Sequence, residues 1–138
     1  MLFRSVQRFK DQYDDALSSY QTALDLFRSV GSHLGEANTL ASQSRLLVRE
    51  GKIVEAEKKL QEAIILHRQI QDPYDEGSDN SNFAIALLEQ KEFAKATLYA
   101  QAARLLFQKI PLPDLVEWTD QLLAEIQKRS RANPDSKD

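Results

Sequence analysis

Apolar residues in this chain recur three, four and seven positions apart and never in alternation, so the pattern is helical from end to end. Tyr13, Ala16, Leu17, Tyr20, Ala23, Leu24 and Phe27 share one side of a helix predicted over about 13–30, with Gly31 just past its end. A second helix, about 34–50, carries Leu40, Ser44, Leu47 and Val48 and stops near Gly51. The third, about 53–70, turns Ile53, Ala56, Leu60, Ala63, Ile64 and Ile70 inward before Asp72-Pro73, since proline disfavours helix at the preceding residue. A fourth over about 75–90 holds Phe83, Ala84, Ala86 and Leu87. A fifth over about 93–109 holds Phe93, Ala96, Ala100, Ala103 and Leu106 and ends at Pro111-Leu112-Pro113. The last, about 114–130, presents Leu115, Trp118, Leu122 and Ile126, a stripe on which tryptophan is more often buried than exposed as an anchor, and 131–138 reads as a polar tail.

Sliding the chain by about 40 residues against itself brings helices into register. Ala16, Ala56 and Ala96 align, as do Ala23, Ala63 and Ala103, Gln21, Gln61 and Gln101, and Leu26, Leu66 and Leu106; Arg28 meets Arg68 and Glu36 meets Glu76. Alanine at fixed points is what close helix crossings require, with Ser44 and Ala84 filling the equivalent spot within a pair and Phe27, Phe83 and Phe107 filling wider gaps. The expected fold is therefore all-α, a solenoid of antiparallel helix pairs over residues 1–130, with units at about 1–30, 34–70 and 75–109 and a capping helix at 114–130. Residues 2–10 align with the end of a first helix, Val6 with Leu46. They are read either as the remnant of a longer array or as a short cap in which Phe3, Val6 and Phe9 cover the first long helix.

The repeated segments Gly51-Lys52-Ile53-Val54-Glu55-Ala56, Lys91-Glu92-Phe93-Ala94-Lys95-Ala96 and Tyr13-Asp14-Asp15-Ala16 resemble tetratricopeptide repeats of the 40-residue kind found in kinesin light chains. The resemblance covers about 3–110 and implies a superhelix whose first helices line a concave groove that binds peptides or partner domains. It places Asn82 where the family often keeps an asparagine that holds a peptide backbone. It also argues against the chaperone-tail clamp of some members, because those slots carry Asn38, Ala41, Ser42 and Ser81, with no lysine among them.

Composition narrows the chemistry. The 138 residues include no cysteine, and the formal net charge is −3. No disulfide or thiolate site exists, and a reducing, cytoplasmic setting is expected. The acidic balance and short basic clusters at Lys58-Lys59 and Lys128-Arg129 disfavour nucleic acid, and no apolar run has the ~20 residues of a membrane span. His33, assigned to a loop, and His67 have no carboxylate at metal-ligand spacing, Asp14-Asp15 and Glu55/Glu57 read as solvated helix starts, and no serine sits in a nucleophile elbow. Asp72–Asn80 reads as a capped polar turn rather than a calcium loop. No enzyme activity, metal or cofactor is expected.

Groove positions follow from helical spacing on the first helix of each pair: Asn38, Ser42, Arg45 and Arg49, then Ser78, Asn82, Ile85 and Glu89. Ser5 and Arg8 would match them in the first segment, and Trp118, Leu122 and Glu125 in the cap. Arg45 and Arg49 with Arg8 could form a basic lip for an acidic partner, or pair with Glu50 or Glu89 on a solvated face. The leading functional reading is a non-enzymatic scaffold holding a peptide or partner domain in this groove. Its alternatives are a module that dimerises through an open solenoid end, leaving Tyr13, Leu17 and Tyr20 partly uncovered until it does, and a regulatory segment of a larger signalling protein.

Overall fold

The computed structural model describes residues 2–133, with side chains from 7 onward. Six helices follow one another: α1 (Leu2–Val30), α2 (His33–Arg49), α3 (Ile53–Ile70), α4 (Pro73–Glu89), α5 (Phe93–Phe107) and α6 (Pro113–Arg131), with no strand among the described residues. Each packs against its neighbour in sequence, most extensively α2 on α3 and α4 on α5, and α2 also packs on α4. The result is a two-layer solenoid with α1, α3 and α5 in one layer and α2, α4 and α6 in the other. No described helix is long and apolar enough to cross a membrane.

Four helix ends share one termination. Gly31, Gly51, Gln71 and Lys91 all have positive φ, at 71°, 81°, 60° and 60°, and they stand 20 residues apart in sequence. The amide after each reaches back five residues, from Ser32 to Phe27, Lys52 to Leu47, Asp72 to His67 and Glu92 to Leu87, at 2.9–3.0 Å. This is the left-handed cap that satisfies carbonyls orphaned at a helix end. Glycine adopts that conformation without a Cβ penalty, whereas Gln71 and Lys91 carry one. Lys91→Gly is therefore expected to raise stability by about 0.5–1 kcal/mol. Urea unfolding would read it as a higher midpoint at unchanged slope.

Helix starts are equally local. Ser32 accepts from the Gly35 amide at 3.2 Å and Asp72 from the Asp75 amide at 3.0 Å. Pro73 and Pro113 occupy first-turn positions, where a missing amide hydrogen costs nothing. Pro73 thus begins α4, two residues before the start expected from sequence.

The repeat alanines sit where close crossings demand them. Ala56, Ala63, Ala96 and Ala103 are fully buried, as are Ser44 and Ala84. Around them Leu60, Ile64, Phe83, Leu87, Phe93, Ala100 and Ile126 form the main core. Ile70, expected inward, is exposed, because α3 is already closing its last turn there. Leu26 shows that register does not guarantee burial, being 61% exposed while Leu66 and Leu106 are half-buried.

The largest departure lies at the N-terminus. α1 runs unbroken from Leu2 to Val30, so there is no separate short segment before residue 13. The register position of Gly51 and Lys91 is Asp11, which stays helical, and with no left-handed residue the chain does not turn back. Phe9 belongs to α1 itself and is exposed, so it caps nothing; the side chains of Phe3, Ser5 and Val6 lie outside the described residues. Asp14 and Asp15 consequently stand mid-helix on an exposed face, away from any helix start.

Candidate functional site

The residues singled out for the groove lie on α2 and α4, which pack side by side. On α2, Asn38 and Arg49 are exposed while Ser42 and Arg45 are half-buried. Arg45 Nη2 donates to Ser42 Oγ at 3.3 Å. Arg49 Nε lies 3.9 Å from Glu89 Oε2, tying the ends of α2 and α4 together. One of the three arginines of the proposed basic lip is thus already paired to a carboxylate. Both partners are about half exposed, so the pair contributes at most about 1 kcal/mol. Arg8 is exposed on α1.

On α4, Ser78 is half-buried, Asn82 exposed, Ile85 half-buried and Glu89 exposed. Ser78 and Asn82 line a cleft of about 300 Å³ with Tyr74, Ser81, Phe107, Leu115 and Trp118. The cleft exists because α4 and α6 make little direct contact, unlike α2 and α4. Phe107, 2% exposed, reaches into the gap between them, its ring centroid 6.2 Å from that of Tyr74. Gly77 allows this approach, since a Cβ there would fall 2.5 Å from the Phe107 ring.

Two aromatic walls stay open to solvent, Tyr74 at 49% and Trp118 at 41%. Trp118 is therefore not buried as its stripe suggested. Thr119, fully buried with its hydroxyl donating to the Leu115 and Val116 carbonyls, takes the inward place one residue later. Ser81 donates to the Ser78 carbonyl at 3.0 Å, while the Asn82 amide makes no hydrogen bond within the described residues. Both its donor and its acceptor are available. None of the lining residues is charged.

Tyr74, Leu115 and Phe107 were missed as groove residues. Tyr74 shares a face with Ser78 and Asn82, at four and eight residues, but a helix starting at 75 excludes it. Leu122 and Glu125, half-buried on α6, lie outside the cleft lining, and Glu125 accepts from Arg129 at 2.8 Å.

Larger hollows are chemically different. One of about 570 Å³ lies between α3 and α5 in the other layer. There Glu57 holds the Lys95 ammonium and accepts from Tyr99 Oη at 2.8 Å, and Arg68 pairs with Glu76 at 2.9 Å. Burial and the Glu57 carboxylate together push the Tyr99 phenol well above its usual range. Glu57 is thus an internal partner, not the solvated helix-start residue its sequence position suggested. A hollow of about 660 Å³ runs along α5 and α6 at the far end of the solenoid.

His67 is also not what its neighbours implied. It is fully buried, with Nε2 2.8 Å from Asp79 Oδ2 on the next helix. His33 opens α2 rather than occupying a loop, and is exposed.

Residues 5–69, spanning most of α1 and nearly all of α2–α3, match the model of the tetratricopeptide repeat family. No curated protein and no solved structure matches the chain.

Proposed function

We propose, from the match of residues 5–69 to the tetratricopeptide repeat family, that the face formed by α2, α4 and α6 holds an extended peptide segment of a protein partner. Such repeats mediate protein–protein interaction and are a non-catalytic family. The observation that carries the proposal is the uncharged cleft between α4 and α6, with exposed aromatic walls beside an asparagine side chain that has no hydrogen-bond partner among the described residues. An apolar side chain of the peptide enters between Tyr74 and Trp118, and the Asn82 amide pairs with the neighbouring backbone. An acidic group on the ligand would meet Arg45, the α2 arginine not already paired to a carboxylate.

Peptide-display selection against the purified chain tests this. Enriched peptides should share an apolar anchor, and Trp118→Ala should weaken them about tenfold or more, the usual loss at an aromatic hot spot. Asn82→Ala should weaken them regardless of anchor identity. Binding unchanged in both variants would remove the cleft from consideration. Arg45→Glu separates the acidic reading: it weakens only peptides with a carboxylate, and most strongly at low salt.

One observation favours a second reading, self-assembly through α1. Ala16, Tyr20 and Ala23 are partly exposed, whereas their register equivalents Ala56, Leu60 and Ala63, and Ala96, Ala100 and Ala103, are fully buried. No described helix covers that face of α1. A second copy docked there would give a sedimentation coefficient that rises with concentration, and Tyr20→Glu would abolish the rise.

A further inference from the structure

The three junctions between successive helix pairs use equivalent positions, and the central one differs in kind. Phe27, His67 and Phe107 occupy one register position, and Thr39, Asp79 and Thr119 another, twelve residues on. At the first junction the Phe27 ring packs so closely on Gly35 that a Cβ would fall 2.3 Å from it. Phe107 lies beside Leu115 at the third. Both threonines turn their hydroxyls back onto their own helix carbonyls. At the centre, phenylalanine and threonine are replaced together by a histidine and an aspartate in contact across α3 and α4.

The main apolar core also crosses this central junction, and polar links flank it. Arg49–Glu89 ties α2 to α4 on the groove side. Arg68–Glu76 joins α3 to α4. Glu57 with Lys95 and Tyr99 joins α3 to α5. His67 differs from all of these in being fully buried.

We propose that the His67–Asp79 contact is a proton-sensitive joint between the α2–α3 and α4–α5 pairs, closed while the imidazole is charged and weakened when it is neutral, with the pitch of the groove following. The charges that act on the ring are carboxylates of α4: Asp79 in contact, then Asp75 and Asp72. The buried residues of α2, which packs along α3, carry no charge: Ala37, Thr39, Leu40, Ala41, Gln43, Ser44, Leu47 and Val48. Burial alone would pull the imidazole pKa down. The close contact and charge of Asp79, with Asp75 and Asp72 behind it, outweigh burial and raise the pKa above 6.5. A raised folded-state pKa means the contribution is fully present below about pH 6.5 and is lost as pH climbs through the folded value. Above that point Asp79, 8% exposed, faces an uncharged ring inside a cluster of like charges.

Two histidines make the test direct, since imidazole resonances of His33 and His67 are separable by NMR without any variant. His67 should titrate with a midpoint above 6.5; a midpoint at or below 6.5, or no titration between pH 5 and 9, overturns the proposal. The double variant His67→Phe/Asp79→Thr copies the other two junctions. Between pH 6 and 8.5 the unmodified chain should lose at least about 3 °C of melting temperature beyond any loss in the double variant. Equal slopes would refute the joint. Small-angle scattering at the two pH values reads the pitch, and coincident profiles would refute the geometric part. None of these readouts uses a ligand, so failure here is distinct from failure of the groove.

Discussion

Phe83→Ala is expected to lose about 3–5 kcal/mol, a large share of what holds a domain of this size together. Phe83 is fully buried near the middle of α4 and meets the Tyr99 ring edge-on at 4.7 Å. Removing it deletes the transfer energy of one of the largest core side chains and leaves a cavity. Fully buried backbone-close residues, Leu60, Ala84, Leu87 and Ala96, surround that core and have little freedom to collapse into it. The register equivalents of Phe83 are Gln43 and Leu123, so no other pair carries a comparable aromatic there. Urea unfolding followed by far-ultraviolet circular dichroism would read the loss. A cost under about 1 kcal/mol would mean that the central pair does not depend on this ring.

Gly77→Val should cost about 2–3 kcal/mol and alter the groove as well. Glycine within a helix is unfavourable by about 1 kcal/mol relative to alanine, so on propensity alone any substitution would stabilise. Sterics reverse the sign. The new Cβ would stand 2.5 Å from one Phe107 ring carbon and 2.9 Å from the next, and these are atoms of a buried ring with no free end to swing away. The ring must shift toward Tyr74 and Leu115, the walls of the cleft. Expected results are a lower melting temperature together with weaker binding of display-selected peptides. A variant that melts lower but binds normally would show that Phe107 does not shape the cleft.

The alanine register was the part of the fold most legible in the chain, because a close helix crossing tolerates few residue types and the same requirement returns every 40 positions. The helix ends were only half legible. Their 20-residue spacing is announced by Gly31 and Gly51 but concealed at Gln71 and Lys91, where larger residues accept the same left-handed backbone. At Asp11 nothing marks whether the chain turns or continues, and it continues. In the candidate site, Ser78 and Asn82 could be placed by spacing, whereas the cleft beside them depends on how α6 is rotated. Thr119 instead of Trp118 faces the core, a one-residue shift that amphipathic counting does not resolve. His67 was illegible for a different reason: its partner lies beyond a turn, and only the stacking of α3 on α4 brings it within reach.

Because α2 against α4 is the most distant substantial helix pairing, folding this chain requires no long loop to be closed before contacts form. Formation should therefore be fast, and it should spread from one helix pair to the next rather than wait for a global nucleus. In such a chain the weakest junction sets where cooperativity divides. The main core runs unbroken across the α3–α4 junction, so that line falls instead at α1, which packs substantially on α2 alone, and native-state hydrogen exchange would show the exposed N-terminal half of α1 opening before the rest.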